Sequence, residues 1–161
     1  LEKTGNKRAQ HTLSLTEDAN MSLATEFTIQ MQDRPGTLGE VCRALADRDV
    51  NIIGFQSSPA SAGKSLVHMV TDNRTATKAV LENGRVNFTE TEVAQVKLPN
   101  VVGALAQAAL RLGDAGINID YGYCGIDPTK NTPLLFLGVE EVGKAAKILD
   151  QAAKAVGVGA T

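Results

Sequence analysis

The chain has no tryptophan, 4% aromatic residues and two cysteines among its 161 residues. So few aromatics leave little for a base-stacking surface. Cys42 and Cys124 are too few and too far apart for a disulfide framework or a zinc knuckle, so both are expected to be reduced packing residues. No apolar run reaches the roughly eighteen residues that a membrane-spanning helix needs, and Leu1 to Gln10 lack a secretory apolar core. A cytoplasmic protein with no membrane partner is expected. Charge of one sign is missing too: 16 Lys+Arg stand against 18 Asp+Glu with no block of either, which argues against nucleic acid as a partner. No Walker or dinucleotide glycine loop occurs, and neither cofactor nor metal is expected.

What is present is glycine, 15 residues of it, and an internal repeat. Asp33-Arg34-Pro35-Gly36-Thr37-Leu38 leads through Leu45, Asp47 and Val50-Asn51-Ile52. Gly103, Leu105, Leu112, Asp114 and Ile117-Asn118-Ile119 follow at a constant offset of 67 residues. Phe27, Ile29 and Met31 alternate as in a half-buried strand, and Ala94, Val96 and Leu98 do the same in the second copy. Leu38, Val41, Cys42 and Leu45 carry the spacing of one buried helical face, matched by Leu105, Ala108, Ala109 and Leu112.

A short strand then starts at Val50 and at Ile117. Polar hairpin loops follow, Ser57 to Gly63 in one copy and Asp127 to Asn131 in the other, and then third strands over Leu66 to Thr71 and Leu134 to Val139. Second helices are expected over Thr75 to Asn83, closed by Gly84, and over Val142 to Val156, closed by Gly157. Val86 to Leu98 reads as the fourth strand of copy one, a bend, and the first strand of copy two. A fourth strand for copy two could come only from Val156 to Thr161.

Each copy therefore has the order βαββαβ, the ferredoxin-like arrangement in which helices cover one face of an antiparallel sheet. The expected fold is α+β: two such units forming an intrachain pseudo-dimer. Residues 1–24 are a tail or an expression remnant, 25–91 the first unit and 92–161 the second.

Two features could carry chemistry. In Asp33 to Glu40, Pro35 fixes φ, Gly36 permits φ > 0, and Thr37 with Glu40 has capping-box spacing. A helix N-terminus of this kind suits a small carboxylate or phosphate, and equally serves as a plain turn. Asn51 and Asn118, each just before a second strand, offer a donor pair and an acceptor to the zwitterionic end of an amino acid, or simply shape their loops.

Asp33-Arg34-Pro35-Gly36-Thr37-Leu38, with Asn51 fifteen residues after Gly36 and then Ile52-Ile53, resembles the signature of the ACT-domain family, regulatory amino-acid-binding modules of metabolic enzymes. The second copy is degenerate: its turn is Asn100-Val101-Val102-Gly103-Ala104-Leu105, with Pro displaced to Pro99. The resemblance covers Thr25 to about Ala155 and is to stand-alone tandem proteins without a catalytic domain. It implies a ligand, an amino acid, held between paired domains by Asp33, Arg34, Pro35, Gly36, Thr37, Leu38 and Asn51 in one copy. In the other it implies Asn100, Val102, Gly103 and Asn118. It also leaves open a homodimer and a metabolic enzyme as partners.

Two rival readings remain. Arg34 with Asn51 could mimic the anion site of a small acyl-phosphate hydrolase, although His11 and His68 build no convincing triad and the chain is expected not to be an enzyme. An RNA-binding sheet has the same strand order, but Phe27 and Phe136 fall in apolar patterns. Tyr121 and Tyr123 share one face of a strand and read as interface packing or the wall of a pocket.

Overall fold

A computed structural model describes residues 23–130 and 132–157. Most of the expected tail, residues 1–22, lies outside the described residues, but Leu23 and Ala24 already belong to the first strand. In that strand, β1 (Leu23–Gln32), Phe27, Ile29 and Met31 point into an apolar core, and Glu26, Thr28 and Gln30 point the other way. The chain turns at Gly36 into α1 (Thr37–Ala46), then runs through β2 (Ile52–Pro59), β3 (Lys64–Thr71), α2 (Arg74–Asn83) and β4 (Asn87–Lys97). The second half continues with α3 (Ala104–Asp114), β5 (Tyr121–Ile126), β6 (Pro133–Gly138) and α4 (Val142–Gly157). The mixed α+β order is the one expected. None of the described helices is long and apolar enough to cross a membrane.

The sheet differs from the expected pair. Its six strands close into one ring in the order β1-β3-β2-β5-β6-β4. β4 closes one side as a single uninterrupted strand of 11 residues. Asn87 to Ala94 pair with β1 and Ala94 to Lys97 pair with β6, so Ala94 serves both ladders. On the other side β2 meets β5 at Gly54 opposite Gly125. A Cβ on Gly125 would run into the Ile53 carbonyl oxygen and lie 2.9 Å from Gly54 Cα, so glycine is what lets the two backbones approach.

Closure divides the apolar residues into three clusters. Phe27, Ile29, Val41, Leu45, Met69 and Leu81 join α1 and α2 to the outside of the first strands. Ala94, Val96, Ala108, Leu112, Leu137 and Leu149 do the same for α3 and α4. Val70, Val93, Tyr123, Leu134 and Phe136 fill the ring.

Several boundaries move for identifiable reasons. The second strand of the second half begins at Tyr121 rather than Ile117, because Ile117 is buried against α3 and α4 and the Asn118 side chain donates to Asp120 Oδ1 at 2.9 Å. Gly84 does not close α2 in the left-handed region: its φ is −76°, and Arg85 takes the left-handed position at φ 53°. Leu105 is 55% exposed. Ala104, Ala108 and Leu112 form the buried ridge of α3 instead, and Ala108 and Leu112 share a cluster with Ala145 and Leu149 of α4. Gly157 lies within α4, and the remainder of the expected fourth strand of copy two, residues 158–161, lies outside the described residues.

Candidate functional site

Gly36 and Gly103 stand at φ 93° and 88°, immediately before α1 and α3. Only glycine takes this conformation without strain, and it turns an outgoing strand back over the sheet as a helix. The expected capping box does not form. Gly36 itself is the cap, so Thr37 lies inside the first turn and its hydroxyl donates to the Arg34 carbonyl at 3.2 Å, while Glu40 faces Arg34 at 4.0 Å. Asp33, Arg34, Pro35 and Gly36 are exposed; Thr37 and Leu38 are half-buried. In the second half Asn100, Val102, Gly103 and Asn118 are all exposed, Val102 completely.

The strand pairings show which of these residues can share a ligand. Gln32, just before the first turn, pairs with Lys64, whereas Ile52, just after Asn51, pairs with Thr71. Seven residues of β3 separate the two levels, about 23 Å at the rise of a strand. Asn51 and the turn of residues 33–38 therefore sit at opposite ends of one sheet, and no single small ligand within the chain touches both. The separation also removes the anion site imagined for a hydrolase from Arg34 and Asn51. In the second half, Asn118 lies beyond the Tyr121–Gly138 pair and Asn100 to Gly103 beyond the Lys97–Leu134 pair, again at opposite ends.

Asn51 is bound locally: its N–H donates to Asp72 Oδ1 at 2.9 Å and its carbonyl accepts from the Asp72 N–H at 3.1 Å. It adjoins an open groove of about 410 Å³ along the β2–β5 seam, lined by Ile52, Ile53, Gly54, Phe55, Cys124, Gly125 and Ile126. Phe55 and Ile126 are about half exposed there, and Cys124 is exposed. Cys42 is partly buried, and that burial pushes its thiol above the ordinary value.

The main polar centre joining the halves is one the sequence does not suggest. Glu26 is 0% exposed. It accepts from Tyr121 Oη and Tyr123 Oη at 2.7 Å each, one on each carboxylate oxygen, and lies 2.8 Å from His68 Nδ1. Thr28 Oγ1 donates to it at 3.3 Å. His68 in turn stacks on Tyr121 with ring centroids 4.4 Å apart. Burial, reinforced by the bond to Glu26, raises both phenols well above the ordinary tyrosine value, so they remain donors. Read along β1, Glu26 falls on the polar side with Thr28 and Gln30 and looks solvated. Ring closure buries that side at Glu26, while Thr28 is half-buried and Gln30 stays exposed. The one hint in the sequence is Tyr121 and Tyr123, two polar tips on one strand face that would need an acceptor once buried.

The two phenylalanines weighed for RNA stacking, Phe27 and Phe136, are both 0% exposed, one under the helices and one inside the ring. Among the described residues no group of three or more His, Cys, Asp or Glu is placed to hold a metal ion.

A βαββαβ unit whose first helix opens on a left-handed glycine belongs to the ferredoxin-like class of small α+β domains. More specifically, residues 25–82 match the family model of the ACT domain. No curated protein matches the whole sequence significantly. Among solved structures, a protein of Bacteroides thetaiotaomicron is similar at TM-score 0.71 and 21% identity, over 81% of this chain and 88% of that one. The ligand-free regulatory subunit of aspartate kinase from Thermus thermophilus is similar at TM-score 0.55 and 17% identity, over 82% and 93%. Its counterpart from Thermus flavus gives 0.51 and 18%, over 81% and 92%. At these identities the likeness is one of fold.

Proposed function

We propose that the chain is a non-catalytic regulatory module that binds a small amino acid, or a related carboxylate, at an interface between two ACT-like units, residues 25–91 and 92–161. The observation that carries this reading is the pair of left-handed glycine turns, Gly36 and Gly103, at the same offset as Asn51 and Asn118, in a chain whose first repeat matches the ACT-domain family model. The regulatory subunits among the similar structures support the class of role. Partners under this reading are the ligand, a second copy of the chain and a metabolic enzyme.

The geometry refines the residue assignment. Because Asn51 and the turn of residues 33–38 are about 23 Å apart, they serve one ligand only across two chains. Within one chain the interface site is the seam groove flanked by Asn51. Calorimetry and thermal-shift screening against the twenty amino acids and their 2-oxo acids test the reading. A response abolished by Asn51→Ala but retained by Asp33→Ala places the ligand at the seam. The reverse places it at the turn, and loss in both requires a site built by two chains. No stabilisation of the folded chain by any compound refutes ligand binding.

A further inference from the structure

The helices of the first half leave a cleft at the end of the sheet where β1 stops, α1 begins and α2 ends. It encloses about 410 Å³, within the range of small-molecule sites. Its floor is apolar and closed: Leu81 is 0% exposed, Met31 7% and Val41 9%, with Val80 and Val86 beside them. Its rim is cationic. Lys64 and Arg85 both line it, and neither has an ion-pair partner among the described residues. The acid on the rim, Glu40, stands 4.0 Å from Arg34.

Arg85 has a left-handed backbone at φ 53°. Three helices of this chain end alike, with a left-handed residue followed by an N–H that reaches back to the last turn. Val50 donates to Leu45, Val86 to Leu81 and Ile117 to Leu112 at 2.9–3.1 Å. The left-handed residues are Asp49, Arg85 and Gly116. Glycine is the low-strain choice at this position. After α1 and α2 the position is held instead by Asp49 and Arg85, at some cost in backbone strain, and Arg85 is the one that also lines the cleft.

We propose that this cleft is a ligand site of its own, separate from the seam groove beside Asn51, for a small carboxylate with a branched aliphatic tail. The carboxylate lies between Lys64 and Arg85 near the N-terminus of α1, whose partial positive charge also favours an anion. The tail rests on Val41, Val80 and Leu81. An amino acid and its 2-oxo acid share this chemistry and differ at Glu40, which can receive only the ammonium.

Titration calorimetry of the full chain with L-leucine and with 4-methyl-2-oxopentanoate tests the site. Arg85→Gly is expected to weaken binding by about tenfold or more, the loss of one charge-assisted contact, while its melting temperature stays level or rises as backbone strain is relieved. Lys64→Gln should weaken binding comparably, and Asn51→Ala should leave it unchanged. Tighter leucine than oxo acid assigns Glu40 to the ammonium, and equal or weaker leucine assigns the site to the carboxylate and tail alone. The proposal is overturned if neither compound binds, if both cleft variants retain affinity within twofold, or if Asn51→Ala abolishes binding. A different amino acid lost with Asn51→Ala and untouched by Arg85→Gly would uphold the interface reading without this one.

Discussion

Gly36 and Gly103 turn the chain in the same way, yet the halves place opposite surfaces on the two turns. In the first half the turn carries Arg34, Thr37 and Glu40, and Leu38 packs against the core. In the second, Val101, Val102 and Leu105 are all more than half exposed, and the buried ridge of α3 passes through Ala104 and Ala108. The helix pairs diverge in step. α1 and α2 splay at one end over an apolar-floored cleft with cations on its rim, whereas alanines on α3 and α4 fill the cluster beneath them. The first half thus has the features of a binding surface and the second those of a packing surface, on one shared backbone plan. The second also supplies Tyr121 and Tyr123, which hold Glu26 of the first.

If that capture joins the halves, Glu26→Ala should have the largest effect. It leaves the buried Tyr123 phenol, the half-buried Tyr121 phenol and His68 without their acceptor, which should cost about 3–5 kcal/mol in urea unfolding. A loss below about 1 kcal/mol would show that the halves do not depend on this centre. The same geometry predicts a pH dependence. Both tyrosines have folded values raised above the ordinary 10.0, so their contribution is complete below pH 10 and declines as pH rises beyond it, where the unfolded chain releases the phenolic protons first. Tyr121→Phe/Tyr123→Phe should lack that alkaline decline; its persistence would assign the decline to other groups.

Next in size is the seam. Gly125→Ala drives a methyl group into the Ile53 carbonyl and toward Gly54 Cα, backbone that yields little. A loss of about 1–3 kcal/mol is expected. Gly54→Ala meets chiefly the Phe136 ring edge at 2.7 Å, a side chain with some room to turn, so its loss should be smaller. Equal losses would mean that the ring, rather than the backbone contact, resists opening.

These centres also mark what could be read in the chain before folding. Strand and helix order, the repeat and both left-handed glycines are local properties, set by periodicity and by the conformations open to glycine, and they are legible in the sequence. Glu26 is not, because its burial depends on β5 and β6 closing over the polar side of β1. The break expected inside Val86 to Leu98 is absent because one continuous strand pairs with β1 along its start and with β6 along its end. Of the candidate ligand residues, sequence register brought Asn51 and the turn of residues 33–38 together on paper, while strand direction places them at opposite ends of the sheet. The cleft could not be read from local patterns either, since Lys64 and Arg85 come to line one cleft only when β3 begins where α2 ends.

The finest test of the contrast uses the leucines that the repeat aligns. Leu38 packs partly against the first core and Leu105 stands 55% exposed, although the helical period marks both as buried. A period of 3.6 residues does not separate a ridge through 104, 108 and 112 from one through 105, 108 and 112; the folded chain buries Ala104 and leaves Leu105 outside. Leu38→Ala should therefore cost about 1–2 kcal/mol and Leu105→Ala less than about 0.5 kcal/mol. Leu105→Glu separates solvent exposure from contact with a second copy of the chain. If the residue meets only water, the variant keeps its melting temperature and its sedimentation behaviour. A shift from dimer to monomer would instead show that the apolar turn of the second half is covered in solution.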